Sequence, residues 1–216
     1  MLTSGSGVQI PLLIATRNRK KGGEMVALLA PPWEPGRLRD RLLVETLDAY
    51  PDLAEAVEDA DSFAGNARIK ATAAAKALGL WTIADDSGLT VDALNGAPGV
   101  YSARYAGVHG DDEANNRRLL DALSDVADDH RGAAFVCALA LADPDGEVQG
   151  EVQAACRGTI TREPRGEGGF GYDPLFLIPE YHKTFGELGP LVKQHLSHRA
   201  RAFSRLRPIV ERLLLA

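Results

Sequence analysis

A chain of 216 residues, 45% hydrophobic and 25% charged, holds enough apolar material for one α/β unit or two tightly joined lobes. Its formal net charge of −6 argues against non-specific binding along nucleic acid, yet leaves room for a small anionic ligand gripped by local lysines and arginines. No stretch reaches the apolar length of a membrane span, and Cys137 and Cys156 are too few for a disulfide framework; they read as buried free thiols of a reducing compartment.

Residues 1–10 lack the basic start and long apolar centre of a signal peptide. They read as a loose leader before a single unit over 11–216, and the cytoplasm is the expected compartment. Pro11–Ala15 is a candidate buried strand. It runs into the polar turn Thr16-Arg17-Asn18-Arg19-Lys20-Lys21 and then, past Gly22-Gly23, into a helical pattern over Glu24–Leu29. Strand, polar turn and helix form an anion-binding arrangement, because free backbone N–H groups and the positive dipole end meet at the turn. Thr16 and Asn18 are placed to hydrogen-bond phosphate and Lys21 to pair with it, although the Walker A pattern is absent. Pro31–Gly36 is a break and Arg41–Leu47 a plausible strand. The acidic run Glu55–Asp61 reads as a solvated loop. Ser62–Leu78 is the clearest helix: Ser62 caps it, Phe63, Ala67, Ala71, Ala74 and Leu78 recur at three and four residues, and Gly79 ends it. Lys70 and Lys76 point in different directions, and spacing does not tell which faces a site.

Trp81–Ala84 reads as a short buried strand ending in two carboxylates, Asp85 and Asp86. Ser87-Gly88 is expected to turn the chain into a second strand, Leu89–Asp92. Acids at a rigid strand end could hold Mg²⁺, which shares its remaining positions with water and substrate phosphate. Asp-Asp-Ser-Gly is equally good turn or N-cap material, so the motif needs partners. Asp111–Leu123 is a second capped helix with Leu119, Leu120 and Leu123 inward. Arg131–Ala142 and Glu147–Thr159 are strands joined through Asp143-Pro144-Asp145-Gly146, a hairpin signal. This hairpin is expected to extend one lobe or form an oligomer surface. Arg165–Asp173 is a glycine-rich loop whose Phe170 could stack on a base, worth roughly 1–3 kcal/mol. Pro174–Ile178 reads as a strand and Lys183–Leu188 as a turn or short helix. Ser197 is the expected N-cap of a closing helix, which puts His198 and Arg199 in its first turn. Cations there oppose the helix dipole, and a local rule broken in this way points to a ligand. The order of elements predicts a mixed, elongated α/β sheet flanked by helices, with two lobes and a cleft between them.

Together these segments resemble the inosine triphosphate pyrophosphatase family, hydrolases of dITP, ITP and XTP. The resemblance runs from about Leu12 to Leu206. It rests on Thr16-x-Asn18-x-x-Lys21, Phe63-x-x-Asn66-x-x-x-Lys70, Ala84-Asp-Asp-Ser-Gly-Leu89 and Gly96-Ala-Pro-Gly-Val-Tyr-Ser-Ala-Arg-Tyr105. It continues through Gly168-Gly-Phe-Gly-Tyr-Asp-Pro174, Lys183-Thr184 with Glu187-Leu188, and Lys193 with Ser197-His-Arg199. It implies cleavage of a nucleoside triphosphate to the monophosphate and pyrophosphate with Mg²⁺, in a homodimer. It implies Asp86 as the catalytic acid-base carboxylate, with Glu58 and Asp85 beside it as metal-binding acids. It implies that Thr16, Arg17, Asn18, Arg19, Lys20, Lys21, Lys70 and Ser87 hold phosphates and sugar. Phe170, Gly171, Tyr172, Asp173, Lys193, His198 and Arg199 would then form the base pocket, with donors from His198 and Arg199 matched to a 6-oxo group. Two positions depart from the family pattern: Lys20 replaces a frequent glycine, and Gly65 a usual acid. A Maf-like pyrophosphatase of other base specificity and a non-catalytic nucleotide-binding protein are the alternatives. Ser197-His198-Arg199 favours the inosine-type reading over the first. The acids Glu58, Asp85 and Asp86 argue against the second.

Overall fold

The computed structural model describes residues 9–31 and 37–215. Most of the expected leader and of the Pro31–Gly36 break therefore lie outside the described residues. The elements run β1 (Ile10–Ile14), α1 (Arg19–Leu29), α2 (Arg37–Arg41), β2 (Leu42–Thr46), α3 (Phe63–Leu78), β3 (Trp81–Val91), α4 (Asp112–Ala122), β4 (Gly132–Ala142), β5 (Val148–Ile160), β6 (Phe176–Ile178), β7 (Lys183–Thr184), α5 (Pro190–Leu196) and α6 (His198–Leu214). Ile10 already belongs to β1, so the expected leader overran into the sheet. The strands form one seven-stranded sheet in the order β2-β1-β3-β4-β5-β6-β7. β1 is parallel to both β2 and β3; every later pairing is antiparallel.

Side-chain size on β4 sorts the two faces of the sheet. Ala138, Ala140 and Ala142 point to one face, where they meet Ala67, Ala71, Ala74 and Ala75 of α3. Small residues on both sides let this helix lie close to the sheet. Cys137, Leu139 and Leu141 point to the other face and pack with Met25 and Leu29 of α1 and with Phe203 and Leu206 of α6. Burying each such leucine or phenylalanine contributes roughly 1.5–3 kcal/mol. A separate core at the far end joins Leu119 and Leu123 of α4 to Phe135, Phe176 and Phe185. Three apolar clusters, one on each face of the sheet and one at its far end, thus pack against one shared sheet. Cys137 and Cys156 are buried and free.

Three local expectations are corrected. Ser87-Gly88 does not turn the chain: β3 runs unbroken from Trp81 to Val91, paired with β4 from Thr82 onward. Glycine serves close approach here, since a Cβ at Gly88 would sit 2.4 Å from Ser102 Oγ and 2.7 Å from the Gly99 carbonyl. The β4–β5 hairpin does not merely extend one lobe; β4 lies between β3 and β5 at the centre of the sheet, contributes to all three apolar clusters, and its residues from Ala133 to Ala142 are all buried. Lys183-Thr184 opens the expected turn or short helix as the sheet's last strand, the turn itself following over 185–187, and a short helix, α5, precedes α6 with Ser197 between them.

Candidate active site

The site arises where two strands of unequal length part. The β1–β3 ladder ends with the Ala15 N–H donating to the Ile83 carbonyl at 2.8 Å, while β3 continues to Val91. Beyond that point one edge of β3 borders a cleft of about 340 Å³ instead of a strand. Helix α1 starts at the same end of the sheet, so its N-terminus opens beside the cleft. Its N-cap is Asn18, whose Oδ1 accepts the Lys21 N–H at 3.1 Å.

Strand geometry sends Asp85 and Asp86 to opposite faces. Asp85 is 2% exposed and sits among cations: Arg199 Nε at 3.6 Å and Lys21 Nζ at 3.8 Å, with the Ser87 hydroxyl donating at 3.0 Å. Burial works to raise its pKa, but Lys21, Arg199 and Lys70 outweigh it and hold the carboxyl well below the usual range. Asp86 lies on the α3 side. Asn66 Nδ2 donates to it at 3.2 Å and Lys70 Nζ at 3.4 Å. Burial raises its pKa, and Lys70 and Asn66 offset this only in part. Lys70 also reaches Glu58 at 3.0 Å, so one ammonium joins Glu58 to Asp86. Lys70 keeps its proton more firmly than a free lysine: burial opposes the charge, and Asp85, Asp86 and Glu58 more than compensate. Among the described residues no three His, Cys, Asp or Glu side chains converge as a metal cage.

The other end of the cleft is aromatic and basic. Asp173 is buried and accepts the Phe170 N–H at 2.8 Å and a short bond from Lys193 Nζ. Burial raises its pKa while Lys193 pulls the other way. Lys193 Nζ stands 4.6 Å over the Phe170 ring, and the Arg199 guanidinium 5.5 Å from it. Arg199 is also held by Glu24 at 3.1 Å and Ser87 at 2.9 Å, so it braces the acid end against the aromatic end. His198 is buried, stacks on Phe135 at 5.0 Å and leaves Nδ1 without a partner. Burial, then Arg199, Lys193 and Lys21, push its pKa well down. It is therefore neutral, and Arg199 is charge-compensated; neither is the free cation opposing the dipole that the first-turn position suggested.

Most residues singled out from the sequence line this cleft: Thr16, Arg17, Asn18, Lys21, Glu58, Lys70, Asp85, Ser87, Phe170, Gly171, Tyr172, Asp173, Lys193, His198 and Arg199. Asp86 joins them through Lys70. Tyr172 is fastened down, its hydroxyl donating to the Ser102 carbonyl at 2.8 Å. Arg17 is engaged by Glu55 at 3.2 Å and by the Leu53 carbonyl. Arg19 and Lys20 are not brought to the cleft; both are exposed, and Arg19 pairs with Asp48 at 3.4 Å. Residue-by-residue reasoning assigned no role to Asn66 or Glu24. Asn66 stands one helical turn before Lys70, on the same face of α3, and its Oδ1 also accepts the Ala60 N–H at 3.0 Å. Glu24 stands three residues after Lys21 on α1. Helical spacing from the two lysines was the available signal for both.

The profile that describes the Ham1 family matches residues 12–209. The chain belongs to the Ham1 family. It is 51% identical over 203 residues to a dITP/XTP pyrophosphatase of Rhodopirellula baltica, covering 94% of each chain. It is 47% identical over 204 residues to a dITP/XTP pyrophosphatase of Desulforamulus reducens, covering 94% of this chain and 97% of that one. A solved Ham1 protein from Coxiella burnetii has the same fold, with a TM-score of 0.82 and 36% identity over 94% of this chain and all of the other. In this Ham1 chain the departure at Gly65 has a steric reason. A Cβ there would lie 2.6 Å from the Ala60 Cβ, because the acidic loop folds directly onto the start of α3. Among the described residues no helix is long and apolar enough to cross a membrane.

Proposed function

We propose that this Ham1 protein hydrolyses the non-standard purine nucleoside triphosphates dITP, ITP and XTP to the monophosphate and pyrophosphate, removing them from the nucleotide pool. One observation carries the reading. A single cleft joins an aromatic and basic end, Phe170 with Lys193 and Arg199, to an end lined by Lys21, Lys70, Glu58 and Asp85. Lys21, Lys70, Arg17 and the start of α1 would take the triphosphate charge. Phe170 would stack on the base, with Lys193 and Arg199 donating toward its edge. A 6-oxo group accepts such donors, whereas the 6-amino group of adenine leaves them unpaired, and buried unpaired groups discriminate strongly.

The donor set suits Mg²⁺ entering with the nucleotide. Mg²⁺ is commonly held by one or two carboxylates together with substrate phosphates. Glu58 and Asp86 already share a positive charge, the Lys70 ammonium, at 3.0 and 3.4 Å. These two would hold the ion; Asp85 instead neutralises Lys21 and Arg199 from the other face. Bound there, the ion would offset charge on the phosphates under attack. Asp86 is the general base. Asn66 fixes its orientation by donating to Oδ2 at 3.2 Å, so it is held in place to take the proton of water attacking the α-phosphorus. The buried free thiols support a cytoplasmic setting, and Tyr101 and Val108, 60% and 65% exposed on one segment, support a homodimer.

Pyrophosphate release from dITP, ITP, XTP, GTP and ATP, each with and without Mg²⁺, tests the proposal. The 6-oxo non-standard substrates are expected to turn over with Mg²⁺ and ATP to be poor. Equal rates on ATP and ITP would refute the base assignment.

A further inference from the structure

The first turn of α4 carries Asp112, Asn115 and Asn116 at positions i, i+3 and i+4, so all three leave the helix on one face. None belongs to the groups that handle phosphate or base above. Asn115 is buried and fastens the segment before the helix: its Nδ2 donates to the Ala103 carbonyl at 3.3 Å and its Oδ1 accepts the Ala106 N–H at 2.7 Å. The other two reach the glycine-rich loop and hold one residue from both sides. Asp112 Oδ2 accepts the Gly171 N–H at 2.7 Å, and Asn116 Nδ2 donates to the Gly171 carbonyl at 3.0 Å. Gly171 has a φ of 62°, the left-handed region, and lies outside any strand.

The N–H held by Asp112 belongs to the peptide that joins Phe170 to Gly171. The peptide before Phe170 is tied to Asp173 through the Phe170 N–H at 2.8 Å. Phe170 is thus suspended between two anchored peptides, one fixed by the clamp acid and one by α4. Two peptide planes fixed on either side leave its Cα–Cβ direction little freedom.

We propose that Asp112 and Asn116 are positioning residues for base selection: by fixing the Gly171 peptide they set the Phe170 ring against Lys193 and Arg199. The proposal rests on the reading of Phe170 as the base platform. Asp112 has the larger effect, because an ionised acceptor makes the stronger bond to a backbone N–H. Losing one such anchor is worth about tenfold in affinity.

The test measures kcat and KM on ITP and ATP, with thermal melts alongside, for the wild type, Asp112→Ala, Asn116→Ala and Asp112→Asn. In Asp112→Ala the KM for ITP is expected to rise about tenfold while kcat holds, and the ITP-over-ATP preference to shrink. Asn116→Ala shows the same pattern more weakly. Asp112→Asn keeps an oxygen that accepts the Gly171 N–H and recovers most of the KM. An Asp112→Ala protein with unchanged KM and preference would overturn the proposal, as would a lowered kcat at unchanged KM. An Asp112→Asn protein no better than the alanine variant would overturn it too. Wild-type hydrolysis of ITP reports separately on the function itself, so the two failures are distinguishable.

Discussion

Replacing Asp85 by asparagine separates two roles for this acid, counter-charge and metal ligand. The side chain is 2% exposed, with Arg199 at 3.6 Å and Lys21 at 3.8 Å. At an effective dielectric of about 20, each pair attracts by about 4–5 kcal/mol. Desolvation consumes part of this, and removing one member of a buried pair costs roughly 3–5 kcal/mol because the partner charges stay behind. Glu24 still compensates Arg199 at 3.1 Å, which places the expected loss at the lower end, about 3 kcal/mol. For a chain of this size that lowers Tm by about 6–12 °C. Urea and thermal unfolding at pH 7.5 in EDTA read this directly. A metal ligand would behave otherwise: its loss would leave metal-free stability untouched and reduce only the stabilisation by added metal. Superimposable EDTA melts of Asp85→Asn and wild type would refute the argument.

Asp86→Asn is expected to lower turnover of ITP by about 10²–10⁴-fold while keeping the fold and much of the metal-free nucleotide affinity, read by steady-state kinetics and by titration of ITP into the variant in EDTA; near-normal kcat rejects its assignment as base. Lys70→Met removes the ammonium between Glu58 and Asp86, so Mn²⁺ should bind the nucleotide-free variant about tenfold more tightly than wild type by calorimetry, even as catalysis falls; equal affinities would mean that Lys70 does not occupy the place of the ion. His198 supplies a pH signature. Its folded pKa is depressed, so below pH 6.5 the unfolded chain takes up a proton that the folded one refuses. Stability should be flat above pH 6.5 on this account and fall by about 1.4 kcal/mol per pH unit below it. His198→Gln should lack that slope between pH 6.5 and 5.5, and identical slopes would show that the imidazole is not held neutral.

Elements bounded by strong local chemistry were legible from the residues. The helix α3 begins at Ser62, whose side chain accepts the Gly65 N–H, and ends at left-handed Gly79, as its caps implied. The order of basic, acidic and aromatic segments also carried the family. Opposite faces were harder to read. Reading Ser87-Gly88 as a turn put Asp85 and Asp86 together at a strand end, whereas a continuous strand separates them. Gly88 looked like a turn residue because its real constraint, Ser102 and Gly99 pressing on it, lies ten or more residues away in sequence. The choice between Lys70 and Lys76 needed the register of α3 against the sheet. Lys70 faces Asp86, while the Lys76 side chain lies against Gly146 in the β4–β5 turn. The central place of the hairpin was written in β4: an unbroken apolar run is what a strand covered on both faces requires, and alternation would have marked a periphery. Neutral His198 was hidden because its burial depends on residues far away in sequence: Phe135, on which it stacks, and Lys21 come from distant segments, and only Lys193 and Arg199 are near neighbours.

The most direct measurement is ³¹P NMR of purified protein turning over ITP with Mg²⁺, with the nucleoside product quantified in the same tube. Attack at the α-phosphorus predicts inosine monophosphate and pyrophosphate in equal amounts, with orthophosphate absent at early times. Orthophosphate with inosine diphosphate would place the cut at the wrong phosphorus. An unchanged ITP spectrum would contradict the account outright.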